Sequence, residues 1–586
     1  MKRLALAAAA GVFAIFLVSP VAVALLRRHL ARELPQAWAA EPMNGRFSVL
    51  IPELVGARQR EDAFDAARVK QILLHGRPYN PYAREERSLR SWLHRSLGMY
   101  ILAGWAWACG GRLDLAWITL SAVLGALWFL FYWTTLSWWS GREDVAMPLA
   151  FLGALFSPTA RVSLCDQLGL FLLALIGLGL WRVLGRGKDE AAAPFALGVG
   201  CAVMILVFVH AGVFLLVMLT ALTALLWSTG ASLNSRRGVL WMLGGGLAAG
   251  ALYAWLMTAV LDPQTARESL GLKTIEGSLR VLWGAAASLV LAALCLGLFR
   301  REPAGLSARR AAWLVLASAG IAVCACAAAQ SAVDVELGAG RFLEAGAIVG
   351  GMALLLWTCQ TLARQNWWDR RLSLSVSLAI VLLGVCRQTH EARMSFRLMG
   401  LPQPVEEALR WIDGHVEKDG LVMSLSAQAN ETIPLLTAAK VQIAPPDAEH
   451  ASPFTREVYY RRVAGLLKTL DADPGTFLRD RWLPHDSKRA LLGRLKRERR
   501  LLSRVDLESI EPALWFTPGQ AWGGSDEEIS AGKLRIIEIC RIIKPQPKPY
   551  YLWVGREDEA YLTKTPEALG GSLVYMNAKV KLYAFR

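Results

Sequence analysis

Apolar runs long enough to cross a bilayer recur along the chain, at 4–26, 97–111, 114–139, 165–183, 194–209, 211–228, 238–260, 281–299, 310–330, 342–363 and 372–389. Only helices and closed barrels satisfy their backbones in lipid, and about 20 apolar residues make one helical crossing. The pattern predicts a polytopic α-helical membrane protein with about eleven spans. The segment 145–158 is apolar but short, bracketed by Glu143 and Asp144 before it and Ser157 and Pro158 at its end. It reads as re-entrant or surface-lying. The first run follows Lys2 and Arg3 as a signal peptide would, yet it is long and leads into Arg27 and Arg28, so it reads as an uncleaved anchor.

Two stretches break the pattern. In the polar loop 27–96, Phe64, Ala67, Val69, Ile72 and Leu73 have helical spacing, and Gly76 and Pro78 stand where they end the helix. Farther on, 83–95 is rich in Arg with Leu89, Trp92 and Leu93 on one face, the pattern of a helix lying on a membrane surface. From 391 the periodicity changes. Helical spacing at 404–414, a strand at 420–425, a helix start at 433–438, strands at 440–443, 534–540 and 551–554, and a closing hairpin over 573–585 turning near Asn577 predict a small α/β unit. The run 488–504 reads as a solvated basic helix, with contact to anionic lipid or an acidic glycan as the alternative. The expected division is an N-terminal anchor at 1–26, a first extracytoplasmic loop at 27–96, a transmembrane bundle at 97–390 and a soluble extracytoplasmic α/β domain at 391–586.

Composition agrees: 54% of the 586 residues are hydrophobic and 19% charged. The net charge of +16 would suit nucleic acid, but no basic module interleaved with aromatics accompanies it, and no nucleic-acid partner is expected. The cations instead sort by loop. One set of short loops holds Lys2, Arg3, Arg112, Arg182, Arg186, Lys188, Arg236, Arg237, Arg300, Arg301, Arg309, Arg310, Arg364, Arg370 and Arg371; the alternate set holds Arg142, Arg161, Arg267, Lys273, Arg280 and Arg341. The positive-inside rule makes the richer set cytoplasmic. The N-terminus is then cytoplasmic, and the acidic loop and C-terminal domain lie outside a bacterial-type inner membrane. The nine cysteines show no zinc spacing and read as small buried hydrophobes.

Candidate chemistry gathers in the outward loops. Glu61, Asp62 and Asp65 stand at the start of the loop helix, where an acid is either a catalytic base or a partner for the helix dipole. Asp65 lies one turn from Arg68 and reads as its ion-pair partner. Asp166 opens a span, so it is either an N-cap or joins Asp62 around a divalent cation, Mg or Mn, which needs clustered oxygens. Arg267, Lys273 and Arg341 are cations suited to phosphate or to headgroup anchoring, and His210 interrupts an apolar stretch at an outer hairpin. The pairs Trp138–Trp139 and Trp367–Trp368 read as interfacial belts.

These residues also carry a family resemblance. Asp62, Phe64 and Arg68, followed by Gly76, Pro78, Tyr79, Asn80, Pro81 and Tyr82, resemble the first extracytoplasmic loop of GT-C superfamily glycosyltransferases. Asp62 matches the catalytic Asp of that loop, Phe64 an aromatic and Arg68 the basic residue. Arg161, Asp166 and Gln167 resemble the second outer loop, although Cys165 and Asp166 stand where Asn-Pro is more usual. Arg267 with Leu270 and Leu272 resembles a later outer loop. The stretches 408–412, 421–424 and 433–437 resemble the soluble domain of large bacterial members. At 339–344, Arg341 and Glu344 occur where relatives often have a His-containing sequence. The resemblance implies an inverting enzyme that moves a hexosyl or pentosyl group from a polyprenyl-phosphate carrier to a hydroxyl of a glycan, lipid or protein at the outer face. Two other classes remain open: a transporter or flippase for a lipid-linked or polar substrate, and an inactive envelope-assembly scaffold. A transporter calls for inverted repeats and ionisable groups at mid-membrane, whereas carboxylates here gather in loops.

Overall fold

The computed structural model describes residues 4–18, 60–76, 96–156, 164–186, 209–228, 233–260, 273–274, 279–302, 308–333, 335–336, 339–399, 403–443, 456–482, 526–555 and 558–586. The expected surface helix at 83–95, nearly all of the run at 194–209 and the basic run at 488–504 lie outside them. Helix α1 (Leu4–Val18) is followed by α2 (Arg60–His75), α3 (Ser96–Ala108), α4 (Leu113–Ser140), α5 (Glu143–Phe156), α6 (Leu164–Arg186), α7 (Val209–Ser228) and α8 (Leu233–Val260). A two-residue strand β1 (Lys273–Thr274) precedes α9 (Leu279–Arg301) and α10 (Ala308–Val333). Strand β2 (Val335–Glu336) pairs antiparallel with β1, and α11 (Ala339–Ala363) and α12 (Arg370–Met399) complete the bundle.

Among the described residues, Leu115–Ser140, Arg309–Cys326 and Arg370–Thr389 are long and apolar enough to cross a membrane. Apolar side chains also cover outward faces: Trp107, Trp241, Leu252, Trp255, Leu289 and Leu382 are exposed. A bundle apolar inside and out suits lipid rather than water. The chain is a multi-pass helical membrane protein. Small residues allow close approach where helices cross: a Cβ on Gly320 of α10 would come within 2.9 Å of the Ser288 carbonyl oxygen on α9.

Helix direction sorts the links. Helix α12 leads into the C-terminal α/β unit, so that unit marks one end, here the upper, and the 364–369 link marks the lower. Arg142, between α4 and α5, donates to the carbonyls of Ala363 (3.2 Å), Gln365 (3.4 Å) and Trp368 (2.7 Å). It therefore shares the lower end with Arg364, Arg370 and Arg371, against the expectation that put it in the opposite set. The cause is α5. This segment does not lie on a surface: Val145, Met147, Leu149, Phe151 and Leu155 are buried, and Arg387 of α12 donates to the Leu155 carbonyl at 2.7 Å. Helix α5 rises beside α12 as an inserted part-span, which inverts the direction of α4 and carries Arg112 to the upper end. The tryptophan pairs are split likewise. Trp138 and Trp367 are exposed, but Trp139 is buried with its ring tilted against Trp181 and edge-on to Trp313, and Trp368 Nε1 donates to the Asp144 carbonyl.

The C-terminal unit comprises α13 (Gln403–His415), β3 (Leu421–Ser424), α14 (Ala427–Leu436), β4 (Lys440–Val441), α15 (Arg456–Thr469), α16 (Pro474–Arg481), α17 (Asp526–Ile542), β5 (Tyr550–Gly555), β6 (Ser572–Met576) and β7 (Val580–Phe585). The sheet order is β4-β3-β5-β7-β6, with β4, β3 and β5 parallel and β7 and β6 antiparallel additions. Alternation along each strand feeds two cores. Val422, Trp553 and Leu582 join Leu409, Ile412 and Ile433 in the layer continuous with the bundle, whereas Leu421, Met423 and Leu552 meet Val463, Leu467 and Ile536 on the other face. The expected strand at 534–540 is the middle of α17. There Ile536, Ile539 and Cys540 are buried and Leu534 is exposed, a period of three to four rather than two.

Candidate active site

Helix α2 is built to be enclosed. Asp65, Ala66, Ala67, Arg68, Val69, Gln71 and Ile72 are all buried, so the helix is not an amphipathic element with one wet face. It ends where sequence reasoning put the stop: Gly76 adopts φ 72°, its N–H bonds the Ile72 carbonyl at 2.7 Å, and Tyr100 Oη of α3 donates to the Gly76 carbonyl at 3.1 Å. Helix α2 packs on α3, on α6 and on α14 of the C-terminal unit. Glu61 and Asp62 occupy its first turn.

The other candidates fall at helix starts too. Asp166 is the third residue of α6, His210 the second of α7 and Arg341 the third of α11. Topology gives these starts one end. Helices α11 and α12 are joined by the lower link, so α11 begins at the upper end. Trp181, near the end of α6, meets Trp138 and Trp139 at the lower end of α4, so α6 also begins at the upper end. Lys273 pairs with Glu336 across β1 and β2, which brings Lys273 into the strand pair that immediately precedes the α11 helix bearing Arg341. Helix α8 rises to β1, and its antiparallel neighbour α7, joined to it by a four-residue link, descends from the upper end with His210 at its start. The elements bearing Asp62, Asp166, His210, Lys273 and Arg341 thus share the end that carries the α/β unit. The helix of Asp62 packs directly against the helix of Asp166.

Not every candidate has a description. Arg161 and Arg267 lie outside the described residues, as do the side chains of Glu61, Asp62, Asp166, His210, Lys273 and Arg341. Arg68 is described, at 1% exposure; its burial on α2 one turn from buried Asp65 suits a cation that holds the helix in place. Among the described residues no group of three His, Cys, Asp or Glu side chains could hold a metal ion.

A junction that sequence reasoning missed fastens α2 to the C-terminal unit. His75 Nε2 lies 3.2 Å from Asp419 Oδ2, Lys440 Nζ lies 3.7 Å from Asp419 Oδ1, and Lys418 Nζ donates to the Leu74 carbonyl at 2.6 Å, capping the helix end. Burial holds the His75 pKa below its usual value, with Asp419 opposing and Lys418 and Lys440 reinforcing the shift. The turn 418–420, with Asp419 at φ 63°, was visible as a Lys-Asp-Gly turn signal, but its partner across 344 positions was not. Nearby, Ser424 Oγ accepts from Ser426 N, Asn430 Nδ2 donates to the Ser424 carbonyl, and Ser426 caps α14.

No family model matches the chain, and no curated protein matches it. Solved structures do. The oligosaccharyltransferase of Archaeoglobus fulgidus tethered with an acceptor peptide is 12% identical over 65% of this chain and 59% of that chain, with a TM-score of 0.38. The alignment thus spans less than two thirds of that relative. ArnT from Cupriavidus metallidurans in the apo state is 11% identical over 89% of this chain and 93% of that one, TM-score 0.41. The arabinofuranosyltransferase AftD from Mycobacteria is 14% identical over 72% and 32%, TM-score 0.38. These are GT-C glycosyltransferases, the superfamily that the loop motifs resemble. Likenesses of this degree assign no residue a role.

Proposed function

We propose that the chain is a GT-C-like glycosyltransferase that moves a sugar from a polyprenyl-phosphate carrier to an acceptor hydroxyl at the outer face of a bacterial-type inner membrane. The observation that carries this reading is the gathering of the Asp62, Asp166, His210, Lys273 and Arg341 elements at one end of a membrane bundle, under an α/β unit locked onto the Asp62 helix. A donor whose tail stays in lipid and an acceptor in water can meet only at such an end.

The chemistry follows from the charge that develops. The acceptor oxygen attacks the anomeric carbon as the bond from that carbon to the phosphate oxygen breaks, and the configuration inverts. Asp62 takes the hydroxyl proton, and the leaving polyprenyl phosphate gathers negative charge that Lys273, Arg341 and Arg267 stabilise. Asp166 either orients Asp62 or shares a Mg or Mn ion with it, an ion that would steady the phosphate. Buried Arg68 and Asp65 hold the helix that presents Asp62. The α/β unit caps the site through α14, which contacts α2.

The test is sugar transfer or slow hydrolysis from a radiolabelled panel of polyprenyl-phosphate sugars by the purified full chain. Wild type should turn over one donor, and Asp62→Asn should lose about 10²-fold or more, the scale of a missing general base. Turnover that survives Asp62→Asn removes Asp62 from this role. Silence with every donor, together with no donor binding, favours the transporter or scaffold.

A further inference from the structure

The described part of the bundle has an apolar cavity of about 120 Å³ between α4, α6, α7, α10 and α11, lined among others by Phe131, Thr135, Gly177, Trp181, Met218 and Met352. It spans the middle of the bundle, from Leu170 and Phe214 in the upper halves of α6 and α7 down to Thr135, which is five residues, about 8 Å, from the lower end of α4. Thr135, in its lining, has a buried hydroxyl with no hydrogen-bond partner among the described residues, and so has Trp139 Nε1, one turn farther along α4 and beside cavity-lining Trp181. Trp128, Trp133 and Ser137 of α4 and Ser377 of α12 also have buried donors without a partner among the described residues, but Thr135 differs from other described threonines of the bundle. Thr119, Thr220, Thr223, Thr361 and Thr389 each return their hydroxyl to the carbonyl four residues back, at 2.6, 2.9, 2.8, 3.0 and 2.9 Å. A buried donor left open in a hydrocarbon environment calls for an acceptor.

Charge stands below the donors. Arg309 lies over the Trp139 ring at 5.9 Å, Arg310 lies over Phe299 at 4.3 Å, and Trp139 in turn packs on cavity-lining Trp181 at 5.7 Å. From the lower end upward the order is two cations, two open donors, then an apolar slot. The slot holds roughly ten water-sized groups and runs beside Leu170 to Trp181, about 16 Å of helix. That order matches phosphate, ester carbonyl and acyl chain.

We propose that this cavity binds one chain of an anionic glycerophospholipid of the lower leaflet, with its phosphate against Arg309 and Arg310 and its ester carbonyl accepting from Thr135 and Trp139. A polyprenyl phosphate carries no carbonyl on its chain and leaves both donors open. The headgroup end lies opposite the proposed sugar-transfer end, and the proposal does not depend on that reading.

Native mass spectrometry and thermal shift on the delipidated full chain test this with phosphatidylglycerol, its ether-linked analogue, phosphatidylethanolamine and polyprenyl phosphate. Phosphatidylglycerol should bind once and raise Tm, about tenfold more tightly than phosphatidylethanolamine, and Arg309→Gln with Arg310→Gln should erase that preference. Gly177→Leu projects into space where nothing lies within 4 Å of its Cβ position and should weaken both phospholipids about tenfold. Should that variant fail to fold, near-isosteric Thr135→Val serves: it should weaken the ester-linked lipid several-fold and leave the ether-linked one unchanged. Equal binding of both headgroups, phospholipid affinity unchanged in Gly177→Leu or Thr135→Val, or polyprenyl phosphate displacing the phospholipid each overturns the proposal.

Discussion

His75 shows how a single side chain ties the loop helix to the distant α/β unit. Because burial lowers its pKa, the unfolded chain takes up the proton first as pH falls, so its contribution is complete above the usual value near 6.5 and is lost as pH drops through the lower folded value. The Tm of the wild-type protein should therefore fall below about pH 6.5, and His75→Gln should flatten that slope while leaving the alkaline arm unchanged. Asp558 is a second sensitive residue. It is 1% exposed, accepts from Gly555 N at 3.0 Å and lies 3.9 Å from buried Arg481. Asp558→Ala leaves that guanidinium without its carboxylate and should cost about 3–5 kcal/mol in denaturant unfolding. Residues of this kind are poorly legible in a sequence. Gly76 announced its helix stop because its conformational freedom is local, but Asp419 and Asp558 draw their roles from partners that only the fold supplies.

Elements were legible where one period dominated. The spans of α4, α6 and α9 to α11, and the β6–β7 hairpin about Asn577, lie close to their expected limits because apolar runs and turn residues act on the chain nearby, whereas α12 runs ten residues past its expected end, to Met399. Three elements were misread: 433–438, expected as a helix start, takes in the end of α14. The stretch 534–540 is apolar at 534, 536, 537, 539 and 540, compatible with either period over so few residues, and packing on α15 decides for helix. Helix α5 looked too short to cross, which is correct, yet burial rather than the surface took it in. Helix contacts give their own prediction. Gly320→Val places a side chain against the Ser288 backbone, which cannot move aside, and should destabilise the α9–α10 pair by about 1–3 kcal/mol or block folding. Gly351→Ala, where nothing lies within 4 Å, should leave Tm unchanged. Detergent-solubilised melting curves separate the two.

At the scale of the whole molecule, one reversal reorders the loops. Arg142 and Arg112 exchange ends, so the charge asymmetry that read the lower end as cytoplasmic is unchanged by the reversal. The directions of the helices bring the elements that bear Asp62, Asp166, His210, Lys273 and Arg341, drawn from positions as distant as 62 and 341, to the end that carries the α/β unit. No local pattern could state that shared end, because it depends on the sense of each helix.

The most direct test of that shared end is pulsed electron-resonance distance measurement between nitroxides at Asp62 and Asp166, with Asp62 and Arg364 as the reference pair. The account predicts about 20 Å or less for the first pair and about 35 Å or more for the second, since helices of 25 and 30 residues separate the two ends. A long 62–166 distance, comparable to the reference, would contradict a shared upper site and remove the basis for the enzyme.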